Sequence, residues 1–181
     1  MKKSILFIAL IAATGSLFAQ KKTTTSGTIN FDATTSLDQL PKAENKTVIA
    51  AIDTKNGNVG FEVPIKSFTF GNPRIQEHFN GPNWLDSEKY PTATFKGGIT
   101  NLTTVNFDKD GSYDAEVAGD LTIHGITKPA KSNGKIMVNG KTVSVNTAFT
   151  IKLEDYGIDG PQIGAGKISK EPKITVSADL Q

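Results

Sequence analysis

Apolar and polar residues alternate over most of this chain, and the longest run lies between Gly111 and Pro129. Tyr113, Ala115, Val117, Leu121 and Ile123 share one parity with Gly119 as its gap, while Asp114, Glu116, Asp120 and Thr122 share the other. A two-residue period of that kind predicts a strand with one dry face and one wet face. Its length suits a deep, curved sheet better than a flat one. The same pattern predicts strands over Ser26–Ala33, Thr47–Asp53, Asn58–Phe70, Thr92–Leu102, Lys128–Val138, Thr142–Leu153 and from Ile174 to Leu180. Lys55-Asn56-Gly57 and Asn139-Gly140 read as hairpin turns. Pro64 falls on the wet parity of its strand and implies an edge, bulge or bend there.

Two stretches break the alternation. Asn72 can cap a helix, Pro73 suits its first turn, and Ile75 and Phe79 lie four apart, so a short helix is predicted over Asn72–Asn80. Glu154–Glu171 is Gly-rich and without period, and a connection of that length is usually functional or mobile. Thr34–Asn45 reads as a further connection. Eight alternating strands joined by short turns favour an up-and-down antiparallel barrel, with a sandwich as the alternative. At eight strands a barrel either fills its interior with side chains or holds one small ligand. The mixture of Phe and Val with Gly97-Gly98, Ala115 and Gly119 on the dry parity fits both a tapered core and space for a ligand.

Composition narrows the classes. Residues 1–19 carry a basic start, Lys2-Lys3, then the apolar run Ile5–Ala13 and small residues, the pattern of a secretory signal peptide cut after Ala19 or, second, after Gly15. The remaining residues 20–181 then form one domain, large enough for a real core. The expected location is periplasmic or secreted. The chain has 20 Lys+Arg and 18 Asp+Glu, and removal of Lys2 and Lys3 leaves 18 of each. A neutral chain without a basic tract argues against nucleic acid as a partner. No later stretch is long and apolar enough for an integral membrane helix. With no cysteine there is no disulfide, thiolate nucleophile or zinc ribbon, so burial alone must hold the fold.

Candidate chemistry is sparse. Arg74, the one arginine, and His78 lie four apart and could grip a polar head group, or Arg74 could simply pair with Glu77. His124 stands at a turn and reads as structural. Two histidines without cysteine give no metal-ligand spacing. Asp108-Lys109-Asp110-Gly111 has its glycine too early for a calcium loop. Gly160–Lys167 fails the phosphate-loop spacing, with Ile168 where Ser or Thr should stand. No nucleophile elbow or marked acid pair is present, so neither catalysis nor a cofactor is expected.

Two motifs carry a family resemblance. One is Glu77-His78-Phe79 followed by Leu85-Asp86-Ser87-Glu88-Lys89-Tyr90-Pro91-Thr92-Ala93-Thr94-Phe95-Lys96, and the other is Gly119-Asp120-Leu121-Thr122-Ile123-His124-Gly125-Ile126-Thr127-Lys128-Pro129. Together they closely resemble the YceI-like family of exported bacterial proteins. The resemblance implies an all-β, extended eight-stranded antiparallel lipocalin-like barrel with one short helix near its mouth. It also implies a long apolar cavity for a polyisoprenoid, isoprenoid quinone or other long-chain amphiphilic lipid, and no catalytic motif.

On that basis the dry-parity residues Phe61, Val63, Phe95, Ile99, Val117, Leu121, Val145, Phe149 and Ile151 become candidate lining residues. Arg74, His78, Phe79 and Trp84 become candidate rim residues. Tyr90-Pro91 and Gly125–Pro129 read as fold determinants, and Gly160–Lys167 as a looser part of the rim. Two rivals remain: an envelope stress or interaction protein with a filled barrel, and an enzyme acting on a lipid or quinone. A homodimer is compatible with either.

Overall fold

The computed structural model describes residues 20–181, so the segment read as a signal peptide lies outside the described residues. Nine strands occur: β1 Lys21–Asp32, β2 Lys42–Asp53, β3 Asn58–Pro64, β4 Thr69–Phe70, β5 Thr92–Ile99, β6 Gly111–Ile123, β7 Ile126–Asn139, β8 Thr142–Thr150 and β9 Lys173–Leu180. All neighbours pair antiparallel, in the order β1-β9-β8-β7-β6-β5-β3-β2, and β1 pairs back onto β2 to close an eight-stranded barrel. The two-residue β4 is an extra strand on β2. One predicted strand, Asn58–Phe70, is therefore broken: the chain bends at Pro64 into a 3-10 turn over Ile65–Ser67 before β4.

The helix α1, Pro73–Asn80, forms where its cap predicts, with Asn72 Oδ1 accepting from the Arg74 N–H at 2.9 Å. β6 and β7 meet in a two-residue turn in which both His124 (φ 52°) and Gly125 (φ 73°) are left-handed. A hairpin loop of that shape matches the twist of its strands. The other predicted two-residue turn shifts by one position: Asn139 still pairs with Thr142, and the loop is Gly140-Lys141 with Gly140 left-handed.

Several strand ends differ from the periodic reading. β1 and β2 each begin five residues early, at Lys21 and Lys42, and so take up part of the expected connection. β7 begins two residues early, whereas β5 stops at Ile99 and β8 at Thr150, each three residues short. In β2 the cause is Asn45, wholly buried inside the strand. Its Nδ2 donates to Pro64 O at 2.7 Å and its Oδ1 accepts from Thr47 N–H and Oγ1, which satisfies the amide around an irregularity in the β1–β2 register.

The Gly-rich stretch 154–171 is pinned rather than loose. Ile158 and Ile163 are buried, Leu153 N donates to Lys170 O, and Ser169 N donates to Ala33 O. It includes a 3-10 turn, Leu153–Tyr156, and a single helical turn, α2, Pro161–Gly164.

Two apolar clusters fill the two ends of the barrel. The first gathers Phe31, Phe68, Phe70 and Phe79 with Leu85 and Tyr156 at the α1 end. The second gathers Ile52, Val59, Ile99, Val138, Val143 and Leu180 at the opposite end. Phe61 packs against both.

Candidate functional site

Between the clusters runs a channel of about 120 Å³. Its walls come from the inward parity of the strands: Val59, Phe61 and Val63 of β3, Ala93, Phe95 and Ile99 of β5, Ala115, Val117 and Leu121 of β6, and Val145 and Phe149 of β8. Ile29 of β1, Ile52 of β2 and Val176 of β9 complete the ring. Register explains the alignment, because Phe61 pairs with Phe95, Phe95 with Leu121, and Ile99 with Val117. The volume is close to the roughly 150 Å³ of an apolar cavity that accepts benzene, so the channel as it stands fits a short length of hydrocarbon.

The glycines do not widen it. Gly97 and Gly119 face one another across β5 and β6. A Cβ on Gly119 would lie 2.4 Å from Lys96 O, and one on Gly97 would lie 2.3 Å from Ala118 O and 2.7 Å from the Phe95 ring. This pair lets two backbones approach closely while the Phe95 ring covers the space.

Polar residues at the channel are few: Ser132 of β7 and Thr147 of β8 on the inward parity, and Thr94 of β5 with Lys131 and Lys135 of β7 bordering it from the outward parity. Four of the five belong to β7 and β8. Ser132 Oγ and Thr147 Oγ1 lie 2.6 Å apart, and Thr147 Oγ1 donates to Asn133 O at 2.8 Å. Lys135 is paired with Asp114 at 2.7 Å.

A second hollow, a cleft of about 890 Å³, lies outside the first cluster. α1, the loop after it, and residues 157–168 form its walls, and their character is mixed: Ile75, Phe79, Trp84 and Ile163 beside Glu77, His78, Asp159 and Lys167. The Phe79 ring is central to the partition between the hollows, with centroids 5.5 Å from Phe31, 5.4 Å from Phe68, 4.8 Å from Phe70 and 5.9 Å from Trp84.

The predicted residues therefore separate into two places. Phe61, Val63, Phe95, Ile99, Val117, Leu121, Val145 and Phe149 line the channel. Ile151 does not; it packs against the first cluster, because the chain leaves β8 at Thr150. His78, Phe79 and Trp84 line the cleft instead. Arg74 is exposed, lines neither hollow, and takes part in no ion pair among the described residues, with Glu77 or otherwise. Periodic reading of the strands missed Ser132 and Thr147. The signal available was a run of small inward residues on β7 (Ala130, Ser132, Gly134) where the other strands carry large ones.

The two sequence motifs meet in space. The His124 ring lies edge-on to Tyr90 at 4.9 Å, and its Nδ1 is 3.1 Å from Tyr156 O. A Cβ on Gly125 would fall 2.4 Å from the Tyr90 ring, so only glycine fits beneath it. Pro91 O accepts from Ile65 N at 2.9 Å, tying the same segment to the end of β3. Burial, then the neighbouring Asp155, raises the Tyr156 phenol above its ordinary value, consistent with its place in the first cluster. Among the described residues no group of three or more His, Asp or Glu side chains is placed to hold a metal ion. No helix among them is long and apolar enough to cross a membrane.

A closed antiparallel barrel with an internal apolar channel defines the molecule as a binding barrel of the lipocalin-like kind. The chain belongs to the YceI-like family: the model of the YceI-like domain matches residues 11–180. A UPF0312 protein of Pseudomonas putida strain W619 is 35% identical over 91 residues, which cover 47% of this chain and 44% of that protein, so the chain matches about half the length of such relatives. Protein YceI of Escherichia coli is 26% identical over 156 residues, 83% of this chain and 70% of that one.

Two solved structures share the fold. A polyisoprenoid binding domain from Saccharophagus degradans, implicated in plant cell wall breakdown, superposes with a TM-score of 0.74 at 13% identity, covering 90% of this chain and 98% of that one. BcnA of Burkholderia cenocepacia superposes with a TM-score of 0.70 at 17% identity, covering 86% and 96%.

Proposed function

We propose that this protein binds a long-chain amphiphilic lipid, a polyisoprenoid, isoprenoid quinone or fatty-acid-like molecule, and carries or sequesters it in the cell envelope. The observation that carries this reading is the channel: a space closed on both ends by packed clusters and walled almost wholly by apolar side chains. Such a space favours hydrocarbon over water. The polyisoprenoid binding of the Saccharophagus domain supports the same ligand class.

Each methylene moved from water into the channel contributes about 0.8 kcal/mol. A dozen carbons would give roughly 10 kcal/mol gross. Association and ordering costs remove several of these, leaving about micromolar affinity or tighter. The resting channel is too narrow for a dozen carbons, so a full tail must displace the rings of Phe61, Phe95 and Phe149 from their present positions. No reaction is assigned to the site; binding alone accounts for its residues.

Native mass spectrometry of the purified protein, followed by organic extraction, tests the reading. The expected result is a co-purifying lipid that Leu121→Trp reduces at least tenfold while the melting temperature stays within a few degrees. Wild-type protein that carries no lipid and takes up none on exposure would overturn it in favour of a filled barrel that acts through protein contacts.

A further inference from the structure

A lipid tail in the channel leaves a polar end that needs water or hydrogen-bonding partners. Both ends of the channel are capped by apolar clusters, and the α1 end is closed by the Phe31–Phe79–Trp84 stack. One side of the barrel is different. β7 pairs with β6 along its whole length, from Ile126 to Val138, but with β8 only from Gly134 to Asn139. β8 pairs with β9 through Thr150 yet leaves β7 after Thr147. Thr127 to Ser132 therefore form a half-edge within an otherwise closed wall.

The limits of this seam are defined. At one end stands the Ser132–Thr147 hydroxyl pair. At the other, the 3-10 turn Leu153–Tyr156 is fastened to the β6–β7 turn through His124. The sequence of the half-edge agrees with its lack of a strand partner, since Pro129 has no N–H to offer one. The other short ladders are each continued by further contacts: β2–β3 by Asn45 Nδ2 to Pro64 O and by the β2–β4 pairs, β1–β9 by the reciprocal Thr23–Gln181 backbone bonds, and β5–β6 by Thr100 N to Glu116 O.

Resting on the lipid-binding reading, we infer that the β7–β8 seam admits the tail and seats the amphiphile's polar end, and that this end is an anionic carboxylate or phosphate. The inward polar side chains of the channel, Ser132 and Thr147, stand at this seam, and Lys131 borders it from the outer face of β7. Lys128 stands on the inward parity of β7, opposite Leu121 of β6. Neither Lys128 nor Lys131 takes part in an ion pair among the described residues, whereas Lys135 is already neutralised by Asp114. Two lysines without an ion-pair partner, one on each face of the strand that carries Ser132, suit an anion at the seam.

The chain has no cysteine, which makes a reversible lock on the seam clean to build. The 2.6 Å contact between Ser132 Oγ and Thr147 Oγ1 makes this pair the place to build it. In the Ser132→Cys/Thr147→Cys variant, the oxidised form should take up the fluorescent fatty acid parinaric acid at least tenfold more slowly than the reduced form. Added reductant should restore the rate. If that variant does not fold, Ala130→Trp, at the middle of the half-edge, should slow uptake to the same degree.

Lys128→Ala/Lys131→Ala should weaken binding of parinaric acid and farnesyl phosphate severalfold and leave the neutral alcohol farnesol unchanged. The two anions compared on wild type separate a carboxylate from a phosphate preference. Equal uptake by the oxidised and reduced forms, with the disulfide verified by mass, overturns the portal. An equal loss for farnesol overturns the anionic seat. Failure of wild-type protein to bind any of the three probes removes the lipid reading itself, an outcome distinct from either.

Discussion

The channel inside the barrel and the cleft at its α1 end show that room and affinity for hydrocarbon are separate properties. The cleft is far larger, about 890 Å³ against about 120 Å³. Its wall, however, alternates rings with carboxylates, two imidazoles and a lysine, and water satisfies such a surface. The channel offers less space but a wall that water gains little by wetting. The comparison turns on the partition between them, built on Phe79, and on the β5–β6 wall, where glycines bring two strands together.

Removing the partition gives the largest expected effect. Phe79→Ala deletes a buried ring at the centre of the aromatic cluster and should cost about 3–5 kcal/mol of stability. Urea unfolding checks this, and a loss under about 1 kcal/mol would mean that the ring does not hold the aromatic partition together. Next comes the wall. Gly119→Ala places a Cβ 2.4 Å from Lys96 O and 2.5 Å from Gly97 Cα. It should destabilise by about 2–3 kcal/mol, while Gly71→Ala, where a Cβ meets nothing within 4 Å, should change stability by less than about 0.5 kcal/mol.

A smaller effect sharpens the contrast on the ligand side. Arg74→Ala/His78→Ala should alter lipid affinity by less than twofold, set against the tenfold loss expected for Leu121→Trp. A large loss from the cleft variant would move the binding site to the cleft.

The smallest effect concerns Asp32. Burial alone would raise its carboxyl, but hydrogen bonds from Thr34 N and Oγ1 at 3.0 and 2.7 Å, with Lys42 at 3.7 Å, outweigh burial and hold it below the ordinary value. A depressed carboxyl stabilises the fold above its unfolded value, near 3.8, and loses that contribution as pH falls through the lower folded value. Asp32→Asn should therefore be less stable than wild type at pH 6, by under about 1 kcal/mol for so exposed a group, and the gap should close in strong acid.

The alternating pattern was enough to place the strands and their inward faces, because a period of two assigns each side chain to a face without knowledge of its neighbours, and the family resemblance turned those faces into a barrel with a channel. It failed where a residue's role depends on a distant partner. Asn45 resembles a loop residue until Pro64 O stands opposite it. Lys21–Ser26 carries no apolar residue, so its half of β1 has no periodic mark, although Lys22 to Thr24 pair with Ala50 to Ile52.

The cleft residues were legible as a helix face but not as separate from the channel, since the partition joins Phe31, Phe68, Phe70, Phe79 and Trp84 from four segments of chain. Ser132 and Thr147 share the polarity of surface residues. Their register opposite Val117 and Val176, which the sequence pattern alone does not give, turns them toward the interior.

Pro129 has one more consequence. Bare main-chain edges are where foreign strands attach and where fibrils begin. A gap in the staves of this barrel would carry that hazard if it were bordered by valines. With an imino acid at its middle and a lysine on either side, at positions 128 and 131, the gap is a poor template for other chains.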